Sequence, residues 1–270
     1  MHASKPKRRA VTVALYQLAT SPAFYLAIVG IVLLNFAAMW ETLWLEIPAD
    51  TGFIDFAYVM SYVVNLSYFV YLYVFLASVP YVTSFCGDQN CQYIKPMVVR
   101  CGVRRYCVSK ILGCALSAYL VIMVGLLLTS GLVLLRYPMF NGYSYDLLTP
   151  PFNELAHGPV PMLYFIFQYS CLGMNAALWA VVGLTVSAWL PNRFVALASP
   201  LFFYYILTDL LSKWLPAWIS PFSLGKGADV LGLPAWPTFL YITGVFIVLI
   251  ILVGLVFTHL VKRRVRNELV

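Results

Sequence analysis

Charge is what this sequence has least of. Only 10% of its 270 residues are Asp, Glu, Lys or Arg, against 62% apolar ones, whereas about a quarter of a soluble domain is charged. That excludes an ordinary water-soluble fold. Acids are scarcer than bases, ten against seventeen, which leaves a net charge of +7. The three histidines, His2, His157 and His259, are too scattered to form a ligand set. There is no phosphate-binding G-x-x-x-x-G-K-[ST] loop, since Gly225-Lys226 lacks the spacing, and no H-E-x-x-H or G-x-S-x-G. We therefore expect no catalytic centre and no cofactor on this chain. Nucleic acid is not an expected partner either, because the bases are sorted by side rather than pooled in one folded patch.

The six cysteines are Cys86, Cys91, Cys101, Cys107, Cys114 and Cys171. Four stand in or beside one basic segment that faces a reducing compartment in the topology below, which argues against disulfides. Their spacing lacks the paired C-x2-C knuckles of structural zinc sites. Inert thiols are the favoured reading over a metal site, and no metal is expected.

What is present is long apolar runs. A helix needs about 20 apolar residues to cross the hydrocarbon core, and six segments meet this: Ala23 to Trp40, Phe56 to Val82, Tyr106 to Leu135, Met162 to Leu190, Phe194 to Leu211 and Thr238 to Leu260. The expected fold class is an all-α membrane protein, one transmembrane domain over residues 1–270. Lys5, Lys7, Arg8, Arg9, Lys95, Arg100, Arg104, Arg105, Lys110, Arg193, Lys262, Arg263, Arg264 and Arg266 all fall on one side of this topology. The other side holds Arg136, Lys213 and Lys226 with Glu41, Glu46, Asp50, Asp55, Asp146, Glu154, Asp209 and Asp229. Both termini are thus expected to be cytoplasmic by the positive-inside rule.

Residues 8–20 place Val11, Leu15 and Leu18 at helical spacing beside Arg8, Arg9 and Gln17. This predicts a short interfacial helix, the alternative being a solvated arm. No convincing cleavage site follows, so this arm is expected to be retained. Residues 212–237 hold three Trp and four Pro, too apolar for a solvated loop and too interrupted for a seventh span. They are expected to form external re-entrant or interfacial helices, or an aromatic belt. Within the spans, Asn35, Asn65, Gln168 and Asn175 are read first as interhelical hydrogen-bonding groups. In the second span Tyr58, Tyr62, Asn65, Phe69 and Leu72 share a helical face, and Tyr68, Tyr71, Tyr73 and Phe75 crowd around it. That face suits either the wall of a cavity for an amphipathic substrate or helix packing.

The most informative stretch is residues 85–112, wedged between the second and third spans. It carries Lys95, Arg100, Arg104, Arg105 and Lys110 against one acid, Asp88. Asp88, then Tyr93-Ile94-Lys95, the basic turn Arg100 to Arg105, and Tyr106-x-x-Ser109-Lys110 follow in an order that resembles the permease subunit of bacterial ABC-2 class ABC transporters. The Gly often found before the aliphatic-Lys step is Gln92 here, Pro96 follows the Lys directly, and the usual Ser before the basic turn is missing.

The resemblance implies a coupling helix within residues 84–105, with Asp88, Tyr93, Ile94, Lys95 and Arg100 contacting separate ATPase subunits that carry ATP and Mg. It also implies that Arg104, Arg105 and Lys110 anchor the base at membrane lipid headgroups. A second permease copy or homologue is the further expected partner. Substrate would pass between the second and fifth spans, along Tyr58, Tyr62, Asn65, Phe69, Tyr204 and Tyr205. The implied activity is ATP-driven export of an amphipathic or hydrophobic molecule across the bacterial cell membrane, closest to antimicrobial-peptide export or immunity. The alternative is an ion-coupled carrier or channel without an ATPase, which the lack of a mid-depth Lys, Arg or Glu disfavours.

Overall fold

The computed structural model describes residues 16, 20–44, 55–66, 70–140, 148, 151–158, 160–210, 214–228 and 231–269. The expected arm helix at 8–20 lies outside them except for Tyr16 and Thr20. So do Phe69, Glu46, Asp50, Asp146, Lys213 and Asp229, and the side chains of Glu41, Asn65 and Asp209. The described residues are helical, without strands.

In chain order the helices are α1 (Pro22–Trp44), α2 (Phe56–Ser61), a π-helical turn (Tyr62–Leu66), α3 (Val70–Ser78), α4 (Ser84–Asn90), α5 (Ile94–Cys101) and α6 (Val103–Leu134). They continue with α7 (Asn153–Ala156), α8 (Met162–Trp189), α9 (Arg193–Tyr205), a second π turn (Ile206–Leu210), α10 (Pro221–Gly225) and α11 (Ala235–Leu269). Four of them, α1, α6, α8 and α11, are long and apolar enough to cross a membrane. The chain is a membrane protein. The second and fifth expected spans are shorter tracks, each carrying a π turn, in which the i→i+4 ladder is interrupted.

Helix α8 is the hub. It packs against α6, α11, α9 and α3, and at its ends against α4, α7 and α10. It has the lowest mean hydropathy of the four long helices and yet 89% of its most apolar stretch is buried, whereas α11 has the highest and is only 17% buried there. That inversion is what lipid imposes. Hydrocarbon tails are as apolar as Leu, so polar side chains turn inward while the most apolar helix takes the outer position. On α11 the exposed Ile247, Val248, Ile251, Leu252, Leu255 and Val256 form that outward face.

The inward polar groups meet in pairs that cross between helices. Asn35 Nδ2 on α1 donates to Thr129 Oγ1 on α6 at 2.9 Å, and Tyr73 Oη on α3 donates to Asn35 Oδ1. Next along α6, Ser130 shares a 2.7 Å hydrogen bond with Tyr169 of α8, and Tyr119 shares one of 3.0 Å with Ser170. Asn35 therefore ties three helices together, as its reading as an interhelical group anticipates. Asn35→Leu is expected to cost about 1–2 kcal/mol, since it removes two such bonds in a medium where each is worth roughly 0.6 kcal/mol and at most 1.7. The shift is read from thermal unfolding in detergent. Thr129→Val should cost less, because it removes one of the two.

Candidate functional site

Several chain segments converge at one end of the bundle. Phe85 of α4 packs edge-on against Phe257 of α11 with ring centroids 5.6 Å apart. Helix α4 also packs against α8, and α6 against α11. Arg264 Nη1 of α11 donates to the Ala188 carbonyl at 2.9 Å. The basic segment, the start of α6, the junction of α8 and α9 and the end of α11 thus form one cationic end.

The basic segment itself folds as two short helices at an elbow. Helix α4 stops after Asn90 in a tight turn in which Gln92 takes φ +54° and the Tyr93 N–H bonds the Asp88 carbonyl at 2.8 Å. Pro96 falls in the first turn of α5, where its missing N–H leaves no helical bond unmade. Helix α5 ends at Gly102, φ +78°, whose N–H bonds the Val98 carbonyl at 2.9 Å. A side chain at this left-handed position would be strained, so Gly is what lets the chain reverse and enter α6 at once.

Helix α5 is two-faced. Ile94, expected among the contact residues, is instead buried, and Met97 and Val98 are half-buried, at the i, i+3, i+4 spacing of one helical face turned to the bundle. The opposite face shows Tyr93, Lys95, Pro96, Val99 and Arg100 outward, Val99 being 80% exposed. An apolar residue so exposed between two cations gives this face the composition of a contact surface.

Beneath the elbow lies a charged clamp. Lys110 Nζ stands 2.7 Å from Asp88 Oδ2, with the two side chains 11% and 20% exposed. Tyr106 Oη donates to the same oxygen at 2.7 Å. The Lys110 ammonium also lies 5.5 Å from the Tyr81 ring centroid and 5.8 Å from that of Tyr106, within cation–π range. Asp88, expected on the contact face, therefore directs its carboxylate inward. Lys110, expected at the headgroups, is buried on that carboxylate. Arg104 and Arg105 are exposed in the first turn of α6. The inward pairing of Asp88 carries no local sequence signal beyond its being the lone acid of the loop, and Tyr81 and Tyr106 were not readable as its surroundings.

The cysteines do not converge on a metal geometry. Among the described residues no three His, Cys, Asp or Glu side chains form a group able to hold one. Cys86, Cys107, Cys114 and Cys171 are buried, Cys91 is exposed and Cys101 partly so. Burial pushes the Cys86 thiol above its ordinary range.

The residues expected along a substrate path are divided. Tyr204 is buried with Val74 and Trp179 in a small cluster apart from the main core, its ring centroid 5.5 Å from Trp179 and 5.4 Å from Tyr71. Tyr205 is exposed, 6.2 Å from Tyr71. The Trp179 indole N–H bonds Asn175 at 2.9 Å. Tyr58 is half-buried against the main core on α2, whose start is tied to the chain beyond α6 by the Phe56 N–H to Pro138 carbonyl bond at 2.9 Å. Tyr62 is half-buried in the first π turn. Thus Tyr204 and Tyr205 gather around Tyr71, which the sequence placed only among the aromatics crowding the Tyr58 face, and Tyr204 also meets Trp179, which the sequence did not single out.

Of the expected external segment, the described part holds turns around Trp214 to Ile219, α10, and the start of α11 at Ala235. Tyr241 Oη bonds the Trp218 carbonyl at 2.7 Å, and Phe167 stacks on Phe239 at 4.5 Å. Lys226 lies 4.5 Å from the Phe222 ring centroid, and partial burial lowers its pKa.

No family model matches the chain, and neither a curated protein nor a solved structure matches it.

Proposed function

We propose that this chain is the permease subunit of an ATP-driven exporter of the ABC-2 class, with six membrane spans and both termini in the cytoplasm of a bacterial cell. It works with a second permease copy or homologue and with separate ATPase subunits that carry ATP and Mg. The observation that carries this reading is the elbow of α4 and α5. Its outer face offers Tyr93, Lys95, Val99 and Arg100, while its base is clamped to the 32-residue helix α6 through Asp88, Tyr106 and Lys110. A push on the outer face reaches a membrane-length helix through a charge pair and a hydrogen bond rather than through a slack loop. That is the mechanical requirement of a part that relays closure of an ATPase.

In this reading Asp88 works as an internal strut, and recognition falls to Tyr93, Lys95, Val99 and Arg100. The aromatic cluster of Tyr71, Tyr204 and Trp179, with Tyr205 outward, supports a weakly polar path for an amphipathic or hydrophobic cargo, of which an antimicrobial peptide is one class.

The test is purification in mild detergent from its own cells. A nucleotide-binding subunit should co-elute with the wild type, and its yield should fall at least tenfold for Lys95→Glu/Arg100→Glu, because reversing contact charges costs several kcal/mol. Asp88→Lys, which sets two ammonium groups against each other, should retain the subunit less well and uncouple ATP hydrolysis from transport. Vesicles that move cargo with this polypeptide as their sole protein would overturn the proposal in favour of a carrier or channel.

A further inference from the structure

Where α8 ends and α9 begins, the chain turns through Leu190, Pro191 and Asn192, and the Asn192 side chain caps α9 by accepting from the Phe194 N–H at 2.9 Å. The turn leaves Trp189 70% and Phe194 84% exposed, with Arg193 exposed between them. The end of α11 lies alongside, held by the Arg264 bond to the Ala188 carbonyl, and it presents Arg263 and Arg266 outward. Among the described side chains of this end Asp88 is the one acid, and Lys110 and Tyr106 already occupy its carboxylate. Among the described side chains no acid pairs with Arg193 of the turn or with Arg263 and Arg266 of α11.

Neither water nor protein interior suits this mixture. Water does not favour an almost wholly exposed Phe beside an exposed Trp, and an apolar interior does not take unpaired guanidinium groups. The boundary between acyl chains and headgroups suits both. Aromatic rings settle there below the phosphates, and a guanidinium fork matches two phosphodiester oxygens.

We infer that the α8–α9 turn and the end of α11 form a seat for an anionic phospholipid. Arg193 and Arg263 hold its phosphodiester, and Trp189 and Phe194 lie against the first carbons of its chains. Anionic headgroups concentrate in the cytoplasmic leaflet, the side to which charge asymmetry assigns this end. The seat does not depend on an ATPase partner.

The experiment uses the full chain in mild detergent, titrated with phosphatidylglycerol, phosphatidylcholine or inorganic phosphate, reading the thermal unfolding midpoint and the lipid retained in native mass spectra. Phosphatidylglycerol should be retained and raise the midpoint, while phosphatidylcholine should do neither. Arg193→Gln and Arg263→Gln should each weaken the phosphatidylglycerol response about fivefold, the double variant Arg193→Gln/Arg263→Gln more than either, and Phe194→Ser should weaken it as well. Both arginines are exposed, so the midpoint in phosphatidylcholine serves as the check that the variants fold. Arg136→Gln, in the turn just beyond the far end of α6, should leave the response unchanged.

Equal responses to the two lipids would overturn the inference, as would undiminished phosphatidylglycerol binding by the double variant. Full stabilisation by inorganic phosphate alone would also overturn it, making the site one for free phosphate. So would loss of an acidic protein partner from the double variant with its lipid response intact.

Discussion

Lys110→Met is expected to cost about 3 kcal/mol of stability, the low end of the range for removing one partner of a buried ion pair, since the two side chains keep 11% and 20% exposure. The loss comes less from the missing attraction than from what remains. Asp88 would keep its carboxylate beneath the elbow with the Tyr106 hydroxyl hydrogen-bonding to it but no cation paired with it. Combining Lys110→Met with Asp88→Asn should recover most of the loss, because an amide oxygen still accepts from Tyr106 and carries no charge. The measurement is a double-mutant cycle on thermal unfolding in detergent, with hydrogen exchange over residues 84–101 as the local readout. Exchange there should quicken in the single variant and slow again in the double. A double variant as unstable as the single would show that the charge pair is not what holds the elbow.

Gly183→Ile should be as damaging, for a steric reason. A Cβ on Gly183 would stand 2.6 Å from Pro200 Cγ and 3.1 Å from the Ala196 carbonyl oxygen. The second of these is backbone and cannot swing aside, so α9 itself has to retreat from α8. Overpacking of this kind costs about 1–3 kcal/mol and more where backbone is forced to shift, and close approach at small residues is what membrane helices rely on for packing. We expect about 3 kcal/mol for Ile and about 1–2 for Ala, read as the unfolding midpoint. The contact of Trp179 with Tyr204, 5.5 Å between centroids, bridges the same two helices and should loosen, altering the Trp179 emission. Gly131→Ile and Gly244→Ile are the controls. Nothing lies within 4 Å of a Cβ at either position, so both should leave the midpoint nearly unchanged, and a large loss at either would remove the steric explanation.

Much of the architecture is legible along the chain because membrane insertion reads local quantities. Four of the six expected apolar segments are continuous long helices, with α11 running on to Leu269 past the expected end at Leu260. The second and fifth are less regular, carrying π turns at Tyr62–Leu66 and Ile206–Leu210, since summed hydropathy does not register a break in the hydrogen-bond ladder. Within the candidate site, Tyr93, Lys95 and Arg100 lie on the exposed face of α5, whereas Ile94, expected beside them, lies on its buried face. The roles of Asp88 and Lys110 were not legible, because each is defined by the other, 22 positions away, and by Tyr106. The same holds for Tyr204, whose neighbours Tyr71 and Trp179 come from two other helices.

Residence in a membrane, helical class and the sorting of cations to one end follow from composition and order alone, because burying apolar residues in lipid and leaving Lys and Arg on one side are decided segment by segment. Which helix becomes the hub, which tyrosine is enclosed and which acid is neutralised were settled by packing. Those outcomes depend on the distance between groups remote in the chain, such as Asn35 and Thr129 or Ala188 and Arg264, and in hydrocarbon a polar group takes whichever partner the fold brings within reach.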